Sequence, residues 1–331
     1  MAKPFQSYYF NTMKTLRRRS FKQSLSGILA IGMLCLPFQH IHAEELSGHN
    51  ESPTRVVLLS LDGISVEGFQ KAHTPHLDSL LAQGVLSLET RVVMPSITLP
   101  NWTSHLTGSG PEQHGVTDNA WTFGKAQLPA VDTDKDGYYP SVFQQLKIQK
   151  QQIKTAFYYN WANLIYPYNQ KYLDEISFLE KDAYIPNYEK AFSFMKKNRH
   201  YPTLVYLYSV HTDHAGHQYK WMSPEYIRSI EEADKAIGWL LEHMKKERLT
   251  DHTYFFFLTD HGGVEYGHGG LSTTEMIVPW GIIGPGIRKG IKMQEPNNTV
   301  NTAALILHLF GAEKPHCWTG EVPESIFEIK Q

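Results

Sequence analysis

The sequence has few of the features that stabilise a protein without a large hydrophobic core. Its 331 residues include only two cysteines, which excludes a disulfide framework. The net charge is −2, so the chain has no basic footprint for a nucleic-acid polymer. It contains no internal repeat and no low-complexity tract. The remaining composition, 41% hydrophobic and 19% charged, is typical of a globular protein with one large α/β domain or two smaller ones.

Long hydrophobic runs are also absent. The longest candidate, residues 27–38, is shorter than the roughly 20 residues of a membrane-spanning helix. It follows three arginines and precedes Ala43, which is the order of a secretory signal. We therefore expect residues 1–43 to be a signal peptide, of the general or the twin-arginine type, and residues 44–54 to be a disordered leader. After cleavage the protein would have no membrane span, one thiol at Cys317, and a periplasmic or secreted location in a bacterial envelope.

What the sequence does contain is three apolar runs that each end in an acid. RVVLLSLD ends at Asp62, TLVYLYSVHTD at Asp213 and TYFFFLTD at Asp260. Runs this apolar are typical of buried strands. A carboxylate beside a buried strand is costly unless something neutralises it. The three aspartates are therefore candidates for a functional site.

Helical patterns alternate with these runs. TPHLDSLLAQG has a threonine N-cap, a proline at the first helical position and a stop at Gly84. The helix after Ser223 has apolar residues at helical spacing, and PWGIIGPGI predicts a further strand. This alternation predicts an α/β fold with a mainly parallel central sheet and helices on both faces. We expect residues 55–331 to form one domain, in which residues 121–200 supply helices and loops that shape a cleft.

Histidines near the three acids point to a metal. The carboxyl ends of neighbouring parallel strands share one edge of the sheet, so the three acids would converge there. A multivalent cation is the reasonable way to neutralise them. His217, His261 and His268 lie close to these acids in the sequence. Imidazole and carboxylate without thiolate favour zinc or another first-row divalent ion over calcium.

Five motifs in a fixed order carry a family resemblance. They are LDG at Asp62, TLPN at Thr98, GPEQHGVTDN ending at Asn119, DHAGH from Asp213, and DHGG followed by GHGG from Asp260. Together they resemble the alkaline phosphatase superfamily, and most closely its nucleotide pyrophosphatase/phosphodiesterase branch. The resemblance implies an alkaline-phosphatase-like fold and a hydrolase of phosphate diesters or nucleotides.

The resemblance also implies a role for each matching residue. It implies two Zn²⁺ ions with these ligands: Asp62, Asp260, His261 and the nucleophile Thr98 for the first, and Asp213, His217 and His268 for the second. Metal binding would lower the pKa of the threonine hydroxyl, and the reaction would pass through a phospho-threonine intermediate. Asn119 would bind a phosphoryl oxygen, while Leu99 and Tyr208 would contact the substrate.

The substrate stays open at this point. Tyr208 matches a position that stacks on the base in nucleotide-cleaving relatives, but Leu99 stands where those relatives often have phenylalanine. The motifs contain no arginine to grip a monoester, which favours diesters. A phospholipase-C-like, phosphonate-cleaving or monoester-cleaving enzyme is the alternative, and a non-catalytic zinc-binding domain is a further one. Trp161 and its neighbouring tyrosines could form an aromatic wall or belong to the core. Oligomeric state is not predicted.

The segment DTDKDG, residues 132–137, resembles the first half of a calcium-binding loop. Phe143 stands at the position where such a loop needs a glutamate. A solvated acidic turn is therefore the favoured interpretation.

Overall fold

Eight strands form one sheet in the part of the chain that this computed structural model describes, residues 53–125 and 127–329. In chain order they are β1 (Arg55–Leu61), β2 (Val85–Arg91), β3 (Lys154–Tyr159), β4 (Glu175–Phe178), β5 (Thr203–Ser209), β6 (Thr253–Leu258), β7 (Ile277–Ile283) and β8 (Ile291–Lys292). Their order across the sheet is β4-β3-β5-β1-β6-β7-β2-β8. Only β7 runs antiparallel to its neighbours, so the mainly parallel sheet is confirmed.

Helices cover both faces of the sheet, as the sequence predicted. In chain order they are α1 (Val66–Lys71), α2 (Pro75–Leu81), α3 (Thr98–Thr107), α4 (Pro111–His114), α5 (Val142–Gln149), α6 (Ile185–Lys197), α7 (His211–Tyr219), α8 (Pro224–Lys246), α9 (Thr273–Met276) and α10 (Asn301–Leu309). Helices α1, α2 and α6 pack against α8 on one face, while α3, α5 and α10 pack together on the other. Alternate residues of β1 belong to the two hydrophobic clusters beneath these layers. The two-sided burial explains why the central strands are apolar throughout.

The two helices predicted from their caps are both present. Helix α8 begins at Pro224, and the Ser223 hydroxyl accepts the backbone N–H of Tyr226 at 3.1 Å. Helix α2 begins at Pro75 and ends at Leu81, three residues before the glycine predicted to stop it. Proline fits the first position of both helices because that N–H has no partner within the helix.

The middle section, residues 121–200, differs from the expectation of helices and loops alone. It also supplies β3 and β4, which extend the sheet on the side of β5. Strand β3 is buried from Thr155 to Tyr159, but its sequence KTAFYY has neither the alternation of polar and apolar residues nor an apolar run as long as those of β1, β5 and β6. In the acidic turn, the Asn169 amide donates to Asp134 at 2.9 Å and to Asp136 at 3.0 Å.

The three strands that precede the aspartates are adjacent. Strand β1 lies between β5 and β6, and Arg55 is aligned with Thr203 on one side and with Thr253 on the other. The three strands therefore begin level and end at the same edge of the sheet. This register is what the convergence of the acids requires.

The N-terminal expectations lie almost entirely outside the described residues. This applies to the predicted signal peptide, residues 1–43, and to all of the leader except Pro53 and Thr54. These two residues have no regular secondary structure, although the Thr54 carbonyl accepts the N–H of Thr203 at 3.1 Å. No helix among the described residues is long and apolar enough to cross a membrane.

Candidate active site

The three aspartates meet at the carboxyl edge of the central strands. Asp62 follows β1, Asp260 follows β6 after one residue, and Asp213 lies in the first turn of α7, directly after β5. Asp62 and Asp260 have no exposed surface, and Asp213 is 5% exposed. One oxygen of each has no hydrogen-bond partner among the described residues: Asp62 Oδ1, Asp213 Oδ1 and Asp260 Oδ2. Buried acceptors without partners are rare in folded proteins, so these three oxygens are candidates to bind a cation.

Burial sets the protonation of these acids in the absence of a cation. It raises the pKa of Asp62 to about 8, with a further contribution from the Asp213 charge. It raises the pKa of Asp213 to about 7 and holds the pKa of Asp260 well above its ordinary value. All three carboxylates can be ionised together near neutral pH only if a positive charge lies among them.

The three histidines are each held by a backbone carbonyl. The Nδ1 atoms lie close to these carbonyl oxygens: His217 to Tyr266 at 2.8 Å, His261 to Gly262 at 2.9 Å, and His268 to Ser96 at 3.0 Å. A carbonyl can only accept, so each Nδ1 carries a proton and the Nε2 of a neutral ring carries a lone pair. Burial lowers the pKa of His268 to about 4 and that of His261 well below its ordinary value. These two rings are therefore neutral at pH 7.

The Nε2 atoms face one another and the carboxylates. His217 Nε2 and His268 Nε2 are 3.1 Å apart, and the neutral His268 ring, protonated at Nδ1, has no Nε2–H to donate across this contact. Both also lie 3.5 Å from oxygens of Asp213. His261 Nε2 lies 3.2 Å from Asp260 Oδ2 and 3.4 Å from Asp62 Oδ1. Lone pairs and unpartnered carboxylate oxygens directed at common points are a ligand set that could hold a divalent metal ion.

Two groups of residues have ligand atoms that all lie within 4.8 Å of one another. The groups are Asp213, His217 and His268, and Asp62, Asp213 and His261. The first group is the same as the second zinc site implied by the family resemblance. In the other group Asp213 takes the place expected for Asp260, although Asp260 lies closer to His261 than Asp62 does. The structure therefore brings all six predicted ligands together, with Asp213 next to both halves of the cluster.

Thr98 lies beside this cluster at the start of a helix. Its Oγ1 is 3.3 Å from His261 Nε2, and the residue is 5% exposed. Thr98 is the first residue of α3, and its N-cap residue Ile97 provides no side-chain cap. The N-terminus of a helix favours negative charge because backbone N–H groups and the helix dipole point toward it. Thr98 is thus placed where a metal ion and an anionic group could both reach it.

Asn119 also faces the site. Its Oδ1 accepts the backbone N–H of Leu99 at 2.8 Å, and its carbonyl accepts the Asn163 amide at 2.9 Å. Among the described residues, the Asn119 side-chain nitrogen has no hydrogen-bond partner, so two N–H groups remain for a ligand.

A cavity of about 190 Å³ opens over the cluster. Its lining consists of Thr98, Asn119, Trp161, Val210, Asp213, His214, His217 and His268. Larger cavities, of about 1020 and 320 Å³, lie elsewhere, and neither is lined by any predicted site residue. The chemistry of the lining therefore identifies the candidate site better than cavity size does.

Three lining residues were not predicted as site residues: His214, Trp161 and Val210, of which Val210 directly follows β5. His214 lies within the DHAGH motif, next to a predicted ligand, and this position was the available signal. Its Nδ1 is 2.5 Å from Asp182 Oδ1. Trp161 was one of several neighbouring aromatic residues, and its spacing did not distinguish it from core residues. Its position follows from the loop after β3.

Leu99 and Tyr208, the predicted substrate contacts, do not line the cavity. Both side chains are fully buried in the cluster between the sheet and α3. The Tyr208 hydroxyl donates to Asp62 Oδ2 at 2.5 Å, and its ring packs edge-on against Trp102. Leu99 takes part in the site only through its backbone N–H, which Asn119 accepts. Neither side chain can stack on a base.

The chain is similar to known proteins in family, in sequence and in structure. Residues 56–278 match the family model described as type I phosphodiesterase / nucleotide pyrophosphatase, a span that contains all five motifs. An uncharacterized pyrophosphatase/phosphodiesterase of Schizosaccharomyces pombe is 28% identical over 237 residues, which cover 65% of this chain and 46% of the relative. A bis(5'-adenosyl)-triphosphatase of Bos taurus is 26% identical over 222 residues, 64% of this chain and 48% of the relative. The chain spans about half or less of such relatives.

A similar fold occurs among solved structures. Murine ectonucleotide pyrophosphatase / phosphodiesterase 5 aligns with a TM-score of 0.67 at 14% identity, covering 83% of this chain and 100% of that chain. Identity this low supports the fold alone. Together with the family match, it confirms the resemblance indicated by the motifs.

Proposed function

This chain belongs to the type I phosphodiesterase / nucleotide pyrophosphatase family, and on that premise we propose that it is a metal-dependent hydrolase of phosphate diesters or phosphoanhydrides. One observation carries the proposal. A hydroxyl at a helix N-terminus, that of Thr98, lies 3.3 Å from one of six clustered carboxylate and imidazole ligands. Nucleophilic transfer of a phosphoryl group needs an activated hydroxyl, positive charge and donors for the equatorial oxygens. The hydroxyl and the hydrogen-bond donors are present at this position, and a bound metal ion would supply the positive charge and activate the hydroxyl.

We assign two zinc ions to the cluster. The residues that would hold them are Asp62, Asp260, His261 and Thr98 for the first, and Asp213, His217 and His268 for the second. When bound, the ions would supply Lewis-acid stabilisation and lower the pKa of a coordinated hydroxyl. The fit rests on the unpartnered carboxylate oxygens and the inward-facing Nε2 lone pairs.

The residues of the chain then account for two displacements at phosphorus. In the first, the Thr98 oxygen, having given its proton to solvent, forms a bond to phosphorus as the bond to the leaving oxygen breaks. The leaving group takes a proton from water. In the second, water attacks phosphorus, Thr98 leaves and regains its proton, and the phosphorylated product departs. Through both steps the Asn119 side-chain N–H groups and the backbone N–H of Thr98 would stabilise the equatorial oxygens.

The cavity favours a diester over a monoester. None of its lining residues is an arginine or a lysine, so no fixed cation of the protein would neutralise the second charge of a monoester. Its volume of about 190 Å³ is below the range typical of sites that enclose a whole small molecule. We propose that it holds the reacting phosphoryl group while the remainder of the substrate extends past Trp161 and His214.

Nucleotides are the first candidate for the substrate class. The bovine relative is named a bis(5'-adenosyl)-triphosphatase. A murine neighbour of similar fold was solved as an inactive threonine-to-alanine variant in complex with AMP. Both names refer to adenine nucleotides, and this is why we extend a nucleotide substrate to the present chain as a proposal.

A phosphocholine ester is the second candidate, and one observation favours it. The residues expected to stack on a base, Leu99 and Tyr208, are buried. Trp161 supplies the aromatic ring among the lining residues of the cavity. An indole ring can bind the quaternary ammonium group of phosphocholine by a cation–π interaction, and it does not need a second ring that stacks on a base.

Location outside the cytoplasm completes the proposal. Related proteins of rat and Caenorhabditis elegans are named ectonucleotide enzymes. The basic, apolar and small-residue order of residues 1–43 fits export of this chain.

The test is a comparison of four substrates with one variant. We expect the purified protein to hydrolyse bis-p-nitrophenyl phosphate faster than p-nitrophenyl phosphate, to lose activity with a chelator and to regain it with zinc. Diadenosine triphosphate and a phosphocholine ester would distinguish the two candidate substrates. Thr98→Ala should retain zinc and lose turnover. An active Thr98→Ala variant would refute the mechanism.

A further inference from the structure

The two oxygens of Asp62 have different surroundings. Oδ2 accepts two hydrogen bonds, from the Tyr208 hydroxyl at 2.5 Å and from the Trp102 indole N–H at 3.0 Å. Oδ1 accepts none from the described residues and lies 3.4 Å from His261 Nε2. Asp62, Trp102 and Tyr208 are all fully buried. Only Oδ1 is therefore available to the metal cluster.

The two donors come from elements that the fold holds rigidly around the site. Tyr208 lies on β5, opposite Ser60 of the neighbouring strand β1, which leads directly to Asp62. Trp102 lies on α3, one helical turn after Thr98, so the helix that carries the proposed nucleophile also carries a donor to the proposed ligand. The two rings meet at 90° with their centroids 5.5 Å apart. Each ring restricts the rotation of the other.

We propose that Tyr208 and Trp102 are positioning residues that hold Asp62 in a fixed orientation and direct its single free oxygen to the first metal ion. The inference rests on the proposed function, because it assumes that Asp62 binds a metal. Donors to a ligating carboxylate fix its orientation and tune its affinity for the metal. Asp62 would then bind through one oxygen only, because the other is occupied by two donors. This role explains why a polar phenol lies at the centre of a hydrophobic cluster.

Loss of fold stability must be separated from loss of positioning, and the chain offers a matched control. Tyr206 lies two residues before Tyr208 on the same face of β5 and is also fully buried. Its ring lies 6.3 Å from that of Tyr208 and 5.9 Å from that of Trp102. Among the described residues, the Tyr206 hydroxyl has no hydrogen-bond partner. Tyr206→Phe therefore removes the same atom from the same cluster without changing a contact to Asp62.

The experiment compares zinc binding by Tyr208→Phe, Tyr206→Phe and the unchanged protein. Metal-free protein is titrated with zinc against a competing chelator, and the cobalt-substituted forms are compared by visible absorption. We expect Tyr208→Phe to bind the first zinc ion, the one that Asp62 would hold, about ten- to a hundredfold more weakly. The visible spectrum of the cobalt-substituted variant should also differ from that of the unchanged protein. Activity should return at high zinc. Tyr206→Phe should match the unchanged protein in affinity and spectrum.

The outcomes separate this inference from the proposed function. If the unchanged protein binds two zinc ions and Tyr208→Phe binds them with the same affinity and cobalt spectrum, the positioning role is wrong and the proposed function stands. If both tyrosine variants weaken zinc binding equally, the effect belongs to packing and the positioning role is again wrong. If the unchanged protein binds no zinc and hydrolyses no phosphate ester, both proposals fall.

Discussion

The two halves of the candidate metal cluster differ in their exposure to solvent. The inner half, Asp62, Asp260 and His261, is completely buried between the central strands and α3. The outer half faces the cavity, and the His217 side chain is 42% exposed. Burial favours rigid geometry and strong electrostatic interactions, whereas exposure admits water and substrate. The inner half therefore suits activation of Thr98, and the outer half suits the entry of water for the second displacement.

The largest effect should follow from a change in the inner half. Asp260→Asn keeps the side-chain shape and leaves an oxygen to accept the Gly63 N–H, now at 3.1 Å from Asp260 Oδ1. It removes one charged ligand oxygen, so we expect loss of the inner zinc and a fall in kcat of about three orders of magnitude. Mass spectrometry gives the number of bound zinc ions, and steady-state kinetics give kcat. Retention of two zinc ions with normal kcat would contradict the division into halves.

The same variant should be more stable than the unchanged protein when both are metal-free. Burial and the Asp62 charge hold the pKa of Asp260 well above its ordinary value, so a neutral amide at this position relieves an unfavourable buried group. The melting temperature in the presence of a chelator checks this expectation. A lower melting temperature would show that Asp260 also has a structural role.

A smaller effect should follow from a change in the outer half. His217→Ala removes one exposed ligand of the second group but leaves the inner half intact. Loss of a partner that only supports a ligand costs about ten- to a hundredfold in metal affinity, so we expect loss of this ligand to weaken binding of the second zinc by more than about a hundredfold, with activity restored in part by high zinc. His114→Ala is not a matched control because His114 is buried. His73→Ala is suitable because His73 is exposed and lines no part of the cavity. If His217→Ala and Asp260→Asn lose the same activity and added zinc restores neither, the inner and outer halves of the cluster do not differ in function.

The pattern of apolar runs made much of this site predictable. Strands β1, β5 and β6 are buried on both faces, so they read as continuous apolar runs, and parallel pairing then brings Asp62, Asp213 and Asp260 to one edge. Short motifs identified the histidines. Each of the three aspartates follows its strand within four residues, so the order of the strands alone places them together.

Side-chain direction was not predictable in the same way. Strand residues alternate between the two faces, but the sequence does not specify which face α3 covers. Tyr208 points beneath α3 toward Asp62, and this depends on packing between distant segments. Strand β3 was missed for a different reason, because its sequence KTAFYY has neither an alternating pattern nor an apolar run as long as those of β1, β5 and β6.

The pH dependence of stability should sharpen the comparison between metal-free and zinc-bound protein. Asp62 and Asp213 have folded pKa values of about 8 and about 7, above the value of about 4 in an unfolded chain. Between these values the folded state binds more protons than the unfolded state. These two carboxyl groups therefore make their full contribution to the free energy of unfolding below about pH 4. That contribution is lost as the pH rises through 7 to 8.

Zinc should reverse this trend, because it binds the ionised carboxylates. We expect the difference in melting temperature between zinc-bound and metal-free protein to increase from pH 5 to pH 8. Asp213→Asn should weaken the pH dependence of the metal-free form. A metal-free protein whose melting temperature rises across this range would contradict the shifts in pKa.

The smallest effect concerns the rim of the cavity. His214 lines the cavity without belonging to either group of ligands, and Asp182 accepts its Nδ1–H at 2.5 Å. Its other nitrogen is then available to a part of the substrate beyond the reacting phosphoryl group. We expect His214→Ala to raise KM for diadenosine triphosphate about fivefold, the effect of one hydrogen bond, and to leave KM for methyl p-nitrophenyl phosphate unchanged.

Asp182→Asn provides the conservative comparison for this rim contact. The asparagine oxygen can still accept the Nδ1–H of His214, so this variant should change KM less than His214→Ala does. Zinc content should remain at the level of the unchanged protein in both variants, because neither residue belongs to the clustered ligands. If His214→Ala raises KM equally for diadenosine triphosphate and for methyl p-nitrophenyl phosphate, His214 contacts the phosphoryl group itself. His214 would then act together with the outer half of the cluster and not on the remainder of the substrate.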